Sequence, residues 1–425
     1  MKVAIVGGGW AGLAAAVQAT QAGHAVSLYE ASRTLGGRAR SLPVALPGGG
    51  ITVLDNGQHI LIGAYVETLA LMHQVGVDPA QVLLALPLTL RFPDGDGLAL
   101  PRWPAPLDAA WGIATARGWQ ARDKLSLLRA SAAWQRAGFV CAPELSVADL
   151  CRGLGARVLA DLVEPLCVAA LNTPAARSSG QVFLRVLRDA LFGKGYGGWG
   201  GSNLLLPRRD LGQLLPQAAH AWLGGHGAQV LSGQRVQAVE PAGTGWRLDG
   251  QDFDAVILAC PPWEAARLVQ AAGASTTWHA RCAALQHEAI ATVYATGGGR
   301  LPLPMLALRS TAAFPAQFVF DRGQLGGPDG LLAFVVSASS LERETLQQQV
   351  MAQAAALGWT GLQPLQTVVE KRATFACTPG LQRPSTAIAR GLLACGDYVQ
   401  GPYPATLEGA VRSARTAVAA LADLS

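Results

Sequence analysis

The glycine-rich turn GGGWAG near the start of the chain constrains the fold more than any other feature. It follows KVAIV, a β-branched and nearly uncharged run that is typical of a buried parallel strand. It precedes the Ala-rich run LAAAVQATQAG, which favours a helix. A second apolar run, AVSLY, then ends at Glu30. This order of strand, glycine turn, helix, strand and acid predicts a dinucleotide-binding βαβ unit.

Each glycine of the turn has its own expected role. Gly7 makes the tight turn out of the strand, Gly9 lets backbone N–H groups approach a pyrophosphate, and Gly12 lets the helix pack against the sheet. The helix N-terminus, at Trp10 and Ala11, offers donors and a positive dipole to the phosphates. A glycine-rich turn without any ligand is the alternative interpretation of the same residues.

The residues that follow decide between NAD and FAD. Glu30 lies eighteen residues after the last glycine of the turn, with Ala31 beside it. From there a carboxylate can accept hydrogen bonds from both hydroxyls of an adenosine ribose. A second glycine pair, Gly36 and Gly37, precedes Arg38 and supplies another close backbone approach and a cation for the pyrophosphate. An NAD site does not need this second segment, so FAD is the predicted cofactor.

Three motifs together resemble one superfamily. Glu30 followed by LGGR resembles the FAD-dependent amine oxidases and phytoene desaturases, and the string DNGQH (residues 55–59) is similar to their hydroxysqualene dehydroxylase branch. A strand that ends at Gly396 and Asp397, before a helix that begins near Ala405, resembles the closing motif of the superfamily. The resemblance implies an α/β fold with a Rossmann-like FAD-binding domain and a mixed α+β substrate domain.

The same resemblance implies further cofactor contacts. Asp397 accepts from the ribityl chain, and the helix at Ala405 and Thr406 points its positive end at the pyrimidine side of the flavin. Val236 is expected on a strand whose backbone meets adenine. The remaining cofactor residues implied in this way are Gln58 and His59.

The resemblance implies two discontinuous domains that alternate along the chain. The FAD-binding domain is predicted over residues 1–63, 205–265 and 375–425. The substrate domain is predicted over residues 64–204, a mainly helical part, and 266–374, where strand-like runs predict a mixed sheet above the flavin.

The composition indicates large apolar surfaces. Charged residues make up 14% of the 425 residues and hydrophobic ones 50%, and the mean hydropathy is +0.27. These values suggest a hydrocarbon tunnel or a membrane-facing patch, although no uninterrupted apolar run predicts a transmembrane helix. A net charge of +5 without basic runs disfavours nucleic acid as a partner. The seven cysteines lack metal-binding spacing, so no metal is predicted and reduced thiols are expected.

Four tryptophans alternate with basic side chains in one stretch: Trp103, Trp111, Trp119 and Trp134. On amphipathic helices this pattern is typical of a lipid interface, and four ordinary core tryptophans are the alternative. The resemblance implies an insertion that docks on membranes and admits polyisoprenes. The expected location is cytoplasmic, with peripheral contact at the inner face of the cytoplasmic membrane as a second expectation.

Three functions compete. The favoured one is reductive dehydroxylation of hydroxysqualene to squalene, in squalene and hopanoid biosynthesis, with a separate partner that reduces the flavin. The second is a carotenoid-type desaturase, which runs the flavin in the oxidative direction on phytoene or dehydrosqualene. The third is a non-catalytic escort for prenyl groups or lipids, which the intact FAD motifs disfavour. An amine oxidase is also disfavoured, because the sequence offers no aromatic pair around an amine site.

Dehydroxylation requires an acid, because hydroxide leaves poorly unless it is protonated. If departure precedes hydride arrival, an allylic cation must be held in a dry, mostly apolar pocket. His59 and Asp55, on the polar turn DNGQH, are the predicted general acids, and Tyr403 is the third candidate. The alternative for His59 is a structural role as a buried histidine whose hydrogen bonds are all made, and the alternative for Asp55 is a structural role in the turn.

Overall fold

A computed structural model describes residues 1–424 of the chain. Within these residues, two larger sheets organise the fold, one mostly parallel and one antiparallel, with helices packed against both.

The strands and helices have the following bounds. The strands are β1 (Lys2–Val6), β2 (Ala25–Glu30), β3 (Ser41–Ala45), β4 (Ile51–Asp55), β5 (Leu61–Ile62), β6 (Leu83–Leu86), β7 (Thr89–Arg91), β8 (Gly97–Ala99), β9 (Leu204–Pro207), β10 (Gln229–Ser232), β11 (Val239–Ala242), β12 (Gly245–Leu248), β13 (Gln251–Phe253), β14 (Ala255–Leu258), β15 (His287–Thr296), β16 (Met305–Ala307), β17 (Phe318–Asp321), β18 (Leu332–Ser337), β19 (Gln363–Phe375), β20 (Ala387–Ala389) and β21 (Leu392–Ala394). The α-helices are α1 (Trp10–Gln21), α2 (Val66–Gln74), α3 (Pro79–Val82), α4 (Leu107–Thr115), α5 (Ala121–Arg136), α6 (Val147–Leu150), α7 (Ala156–Val158), α8 (Glu164–Leu171), α9 (Gly180–Phe192), α10 (Leu211–Leu214), α11 (Pro216–Gly225), α12 (Pro262–Ala271), α13 (Thr276–Ala283), α14 (Arg343–Ala356) and α15 (Leu407–Ala419).

The first βαβ unit forms as the sequence predicts. β1 and β2 pair in parallel, and α1 begins at Trp10, directly after the glycine turn. The helix ends where Gly23 takes a φ of +83°, a left-handed conformation that glycine adopts at little cost. A Cβ on Gly12 would lie 1.7 Å from the carbonyl oxygen of Gly7. Gly12 therefore has to be glycine for the helix to sit this close to the turn.

The mostly parallel sheet has the strand order β10–β2–β1–β14–β21–β20, and β20 runs antiparallel to its neighbour. Its strands all come from the three segments predicted to bind FAD, although the domain boundaries themselves stay a prediction. Alternate residues of β1 face opposite sides. Val3 and Ile5 pack with α1, α11 and α15, whereas Ala4 and Val6 share a core with residues of β12 and β13. Ligands of such sheets bind beyond the carboxyl ends of the strands, where the glycine turn lies.

The second sheet has the order β16–β17–β18–β15–β19, and every pair in it is antiparallel. The prediction of a mixed sheet over residues 266–374 is therefore wrong. The connection from β17 to β18 is short, and such connections permit antiparallel but not parallel neighbours.

The strands of this sheet are apolar on both faces. Phe318 and Phe320 of β17 belong to the central core, and Val319, between them, packs on the opposite side with residues of α14. Because residues alternate between the two faces, α14 covers one face of the sheet. The other face is left to form the wall of a cavity.

The four tryptophans of the Trp-rich stretch were expected either at a lipid interface or in the core, and the structure places two of them on the surface and two in the core. Trp119 and Trp134 are buried in the core, whereas Trp103 and Trp111 are 49% and 50% exposed, with ring centroids 5.1 Å apart. Among the helices described over residues 1–424, none combines the length and the apolar character that crossing a membrane requires.

Candidate active site

The backbone around the first glycine turn leaves open the space where a pyrophosphate would lie. Gly9 has an ordinary φ of −75°, and a Cβ there would meet nothing closer than the Cα of Gly37, at 3.9 Å. Neither backbone strain nor packing requires a glycine at this position, but a closely bound ligand does. α1 has no side-chain cap and no acidic residue in its first turn. Its N–H donors and positive end are therefore suited to an anion, and the site fits FAD.

The second glycine pair folds over the first turn. Gly36 donates its N–H to the carbonyl of Gly8 at 2.9 Å, and both Gly36 and Gly37 have positive φ, of +107° and +60°. The buried indole of Trp10 donates to the carbonyl of Ala39 at 3.0 Å and holds the end of this segment. The two glycine segments are thereby brought together, as the FAD prediction requires.

Glu30 lies at the end of β2 beside the same turn. One carboxylate oxygen accepts from the N–H of Gly8 at 2.6 Å, and the other accepts from the N–H of Ser32 at 2.7 Å. Each oxygen can accept a second hydrogen bond, so both can still accept from a ribose hydroxyl. Ala31, next to it, is exposed.

Val236 does not lie on a strand. β10 ends at Ser232, because Gly233 takes a φ of +74° and donates its N–H to the carbonyl of Ser32, which turns the chain out of the sheet. The predicted strand through this residue is therefore wrong. Val236 is buried in the irregular segment that follows, where its carbonyl accepts from Arg267 at 3.2 Å. Its contact with adenine stays a prediction.

Arg38 reaches across the site to the closing motif. Its Nη2 lies 2.6 Å from Oδ1 of Asp397, and its Nη1 donates to the carbonyl of Ala373. Asp397 is held in turn, since its own carbonyl accepts from Ala405 at 3.1 Å and the N–H of Gly396 donates to a serine hydroxyl of α15. The first glycine turn, the second glycine segment and the closing motif therefore meet in one place.

The closing helix begins close to its predicted position. Thr406 caps α15, because its hydroxyl oxygen accepts from the N–H of Gly409 at 2.9 Å. The preceding residue, Ala405, has a φ of +57°, which is uncommon for a residue other than glycine. Such backbone strain occurs where the surrounding structure holds a functional segment in place.

A fully buried carboxylate anchors this helix. Glu408 accepts from both the N–H and the hydroxyl of Thr68, at 2.9 and 2.8 Å, and from Arg412 at 2.7 Å. Thr68 lies in the first turn of α2, so Glu408 ties the start of α2 to the start of α15.

A large cavity lies between α8, α9 and the antiparallel sheet, with about 1390 Å³ of empty space including its open part. Its lining is mainly apolar, which suits a hydrocarbon chain. Within the described chain, none of the residues that line it carries a charge. Most are aliphatic or phenylalanine side chains, and those with a polar side-chain group are Gln58, Tyr65, Ser202, Ser337, Tyr403 and Thr406.

The cavity contains an aromatic pair that was not predicted from the sequence, although the expected lack of such a pair is the ground on which an amine oxidase is disfavoured above. Tyr65 and Tyr403 meet edge to face, with ring centroids 6.1 Å apart and an angle of 83° between the rings. Tyr65 stands just before α2 and Tyr403 just before α15, so the link that Glu408 makes between these helices places the two rings together. A separation of more than three hundred positions hid this pair from sequence reasoning.

The hydroxyl of Tyr403 donates to Oδ2 of Asp189 at 2.8 Å. Arg185 and Arg188 also contact this carboxylate, at 2.7 and 3.0 Å. Partial burial opposes ionisation of Asp189, but hydrogen bonds from Arg185, Tyr403 and Arg188 outweigh it and lower its pKa. Burial raises the pKa of Tyr403, and the neighbouring carboxylate raises it further.

Asp55 and His59 lie outside the described lining of the cavity. Asp55 accepts from the N–H of Leu211 at 2.7 Å, and burial raises its pKa to about 6. Nδ1 of His59 lies 2.7 Å from the carbonyl of Gly57, and since a carbonyl only accepts, Nδ1 carries the hydrogen. Burial and the charge of Arg38 lower the pKa of His59, although the hydrogen bond to Gly57 acts in the other direction.

Comparison with known proteins agrees with this geometry. The family described as flavin containing amine oxidoreductase matches residues 10–422. A hydroxysqualene dehydroxylase of Rhodopseudomonas palustris is 28% identical over 449 residues, and one of Sinorhizobium fredii is 29% identical over 445 residues; each alignment covers 98% of this chain and 97% of the relative. A zeta-carotene desaturase of Synechocystis is 43% identical over 76 residues, 18% of this chain and 15% of the relative.

Solved structures share the fold over almost the whole chain. Cyclohexylamine oxidase from Brevibacterium oxydans superposes with a TM-score of 0.68 at 16% identity, covering 99% of this chain and 98% of that one. An oxidoreductase from Methanosarcina mazei has a TM-score of 0.73 at 15% identity, covering 98% of this chain and 99% of that one. The chain therefore belongs to the flavin-containing amine oxidoreductase family and is an FAD-dependent oxidoreductase.

Proposed function

We propose that this protein removes the hydroxyl group of hydroxysqualene reductively and forms squalene. The observation that carries the proposal is the large, uncharged cavity, because Gln58 and Thr406 in its wall are also predicted contacts of the flavin. A C30 polyisoprene in this cavity would therefore lie next to the ring. The hydroxysqualene dehydroxylases that align over nearly the whole chain support the same substrate.

The overall reaction converts R–OH and reduced FAD into R–H, water and FAD. When bound, reduced FAD supplies a hydride to the carbon that loses its oxygen. The C–O bond breaks with its electron pair on oxygen, and a proton turns the leaving hydroxide into water. The protein has to exclude solvent, deliver that proton and stabilise the positive carbon. The apolar wall serves the first of these needs. A separate reductant has to return the flavin to its reduced form.

We assign proton delivery to His59, which lies outside the described lining but directly follows the lining residue Gln58 and accepts a hydrogen bond from its amide at the backbone carbonyl. In the protonated ring, Nδ1–H is donated to the carbonyl of Gly57, so Nε2–H is the proton that can be transferred. Asp55 and Tyr403 are the alternative acids. Each has a competing contact, because Asp55 accepts from the N–H of Leu211 and the Tyr403 hydrogen is donated to Asp189.

The second candidate is a carotenoid-type desaturase, which the short similarity to zeta-carotene desaturase favours. One experiment separates the two. Enzyme reduced with dithionite under anaerobic conditions is incubated with hydroxysqualene, and oxidised enzyme with an electron acceptor is incubated with phytoene or dehydrosqualene. We expect squalene from the first incubation and no new double bonds from the second. Desaturated product without any squalene would replace our proposal with the alternative.

We also propose that the protein works at the inner face of the cytoplasmic membrane. Trp103, Leu107 and Trp111 are exposed on or beside α4, and Leu125 and Leu128 are exposed on the neighbouring α5. The acidic residues of these two helices are buried, whereas several of their arginines are exposed. Exposed tryptophan and leucine beside arginine suit an anionic lipid surface, from which a polyisoprene could enter.

A further inference from the structure

Two charged side chains lie behind the wall of the cavity, and each contacts one polar group of the lining. Arg322 is only 7% exposed, and its Nη1 donates to Oε1 of Gln58 at 3.3 Å. Asp189 accepts from the hydroxyl of Tyr403 at 2.8 Å. An otherwise uncharged cavity therefore has a cation behind one polar group and an anion behind another.

The contact with Arg322 determines which way the amide of Gln58 points. A guanidinium has donors and no acceptors, so the amide oxygen has to face it and the amide nitrogen faces away. One N–H of that nitrogen is donated to the carbonyl of His59 at 3.3 Å. Gln58 lines the cavity, and over residues 1–424 the second N–H of this amide has no described partner.

Arg322 is a buried cation that contacts no carboxylate directly, although its charge acts on the buried carboxyl group of Asp55 and opposes the rise in its pKa. Over residues 1–424 it forms no salt bridge, and its other hydrogen bond is to the carbonyl of Pro207 at 3.3 Å. Burying an arginine without a direct salt bridge is costly, and its hydrogen bonds to Gln58 and Pro207 offset part of that cost. Arg322 directly follows β17, whose Phe318 and Phe320 line the cavity. Its contact with Gln58 brings its charge close to the same cavity.

The environment of Tyr403 has the opposite sign. Hydrogen bonds from two arginines and from Tyr403 itself keep Asp189 ionised. A phenol that donates to a carboxylate becomes richer in electrons, and the face of an aromatic ring attracts cations. The ring of Tyr65 stands edge to face with this one. The pair therefore suits a carbon atom that becomes positive.

We infer that Gln58, supported by Arg322, binds the hydroxyl group of the substrate, and that Tyr403, supported by Asp189, faces the carbon from which that hydroxyl departs. The inference rests on the proposed function and specifies how an alcohol is distinguished from a plain hydrocarbon. As the C–O bond breaks, its electron pair goes to the substrate oxygen that Gln58 binds. This oxygen takes up a proton and leaves as water. The carbon beside Tyr403 would be the one to which reduced FAD, when bound, supplies a hydride. Arg322 and Asp189 are positioning residues in this scheme.

The first test measures discrimination between alcohol and hydrocarbon. Dissociation constants of hydroxysqualene and squalene are determined with the FAD-loaded protein in detergent micelles. We expect the wild type to prefer the alcohol by about tenfold or more, as a hydrogen bond supported by a charge would give. Gln58→Leu and Arg322→Met should abolish this preference and leave squalene binding unchanged. Ser337→Ala, which alters a cavity residue without a charged partner, should keep the preference.

The second test concerns the carbon side. Asp189→Asn and Tyr403→Leu should lower kcat for hydroxysqualene by about tenfold and leave the ratio of dissociation constants intact. Tyr403→Phe, which keeps the ring, should be affected less than Tyr403→Leu. A structural defect would instead weaken the binding of both ligands and the retention of FAD.

An unchanged alcohol preference in Gln58→Leu overturns the inference, and this variant serves alone if Arg322→Met does not fold. Equal kcat in the wild type and Asp189→Asn overturns the role proposed for Tyr403 and Asp189 at the carbon atom. If the wild type does not convert hydroxysqualene at all, the proposed function fails and this inference fails with it. If the wild type converts hydroxysqualene but Gln58→Leu keeps the preference for the alcohol over squalene, this inference fails and the proposed function stands.

Discussion

Arg38 and Asp397 lie 359 positions apart in the sequence and form an ion pair with 2.6 Å between Nη2 and Oδ1. The pair joins two parts of the chain. The second glycine segment is predicted to contact the pyrophosphate of FAD, and the closing motif is predicted to contact its ribityl chain. A charge pair at this junction places a fixed guanidinium beside the expected pyrophosphate.

Replacing Arg38 should therefore weaken FAD binding. Arg38→Met removes a charge-assisted contact of the kind that contributes about 1.5–3 kcal/mol, which corresponds to a tenfold or greater rise in the dissociation constant of FAD. Titration of apoprotein, followed by quenching of flavin fluorescence, measures this change. Arg247→Met removes an exposed arginine that pairs with Asp252 and serves as the control. Unaltered FAD affinity in Arg38→Met would contradict the assigned role.

Two glycines of the first turn should respond differently to alanine. A Cβ on Gly9 meets open space, so Gly9→Ala should fold with a loss of no more than about 1 kcal/mol but should lose FAD. A Cβ on Gly12 would collide with the carbonyl of Gly7, so Gly12→Ala should lower thermal stability even without the cofactor. Melting temperatures of both apoproteins and their FAD content after gel filtration provide the comparison. Full flavin content in Gly9→Ala would show that no pyrophosphate approaches this residue.

Asp55 should make stability depend on pH. Burial raises its pKa from 3.8 to about 6, so its stabilising contribution is complete below pH 3.8 and is lost as the pH rises through 6. Asp55→Asn cannot ionise and keeps an oxygen that can accept from the N–H of Leu211. Between pH 5 and 8, the unfolding free energy of wild type should fall by about 1–2 kcal/mol relative to this variant. Urea unfolding at both pH values tests this, and parallel curves for the two proteins would refute it.

His59 should control the pH dependence of turnover. The pKa of His59 is lowered from 6.5, so the ring loses its proton at a pH below 6.5. Above the pKa of His59, kcat should fall by about tenfold per pH unit. His59→Gln should lower kcat at acidic pH and flatten the profile. His73→Gln, at an exposed histidine, serves as the control. If His59→Gln combined with Asp55→Asn turned over like the wild type, both residues would be excluded as the acid.

The exposed tryptophans should mediate lipid binding. The double variant Trp103→Ser and Trp111→Ser should bind vesicles that contain phosphatidylglycerol about tenfold more weakly, or worse. The reason is that each aromatic ring buried in the lipid interface stabilises the bound state by up to a few kcal/mol. Sedimentation with vesicles measures the bound fraction. Trp263→Ser alters another exposed tryptophan, outside α4 and α5, and should bind like the wild type. Turnover in detergent should be unchanged in all three proteins. Equal vesicle binding by the double variant would place the membrane contact elsewhere.

Contiguous motifs account for what could be predicted about the cofactor site. The order of residues 2–30 led to the parallel pair β1 and β2 and to α1, because the strand, turn and helix adjoin one another in the chain. The closing helix was also placed almost correctly, since Thr406 caps it locally. Errors arose where a short-range detail decided the outcome. Gly233 turns the chain before Val236, and the short connection between β17 and β18 makes that pair of the second sheet antiparallel.

The sequence by itself determined that this chain forms a dinucleotide-binding unit with a second glycine segment and a closing motif, because each rests on spacing within a few residues. Only the tertiary structure decided which side chains share the cavity. Tyr65 meets Tyr403, and Arg322 reaches Gln58 across 264 positions. Such contacts depend on how sheets and helices pack, and packing depends on the whole hydrophobic core, so no local pattern encodes them.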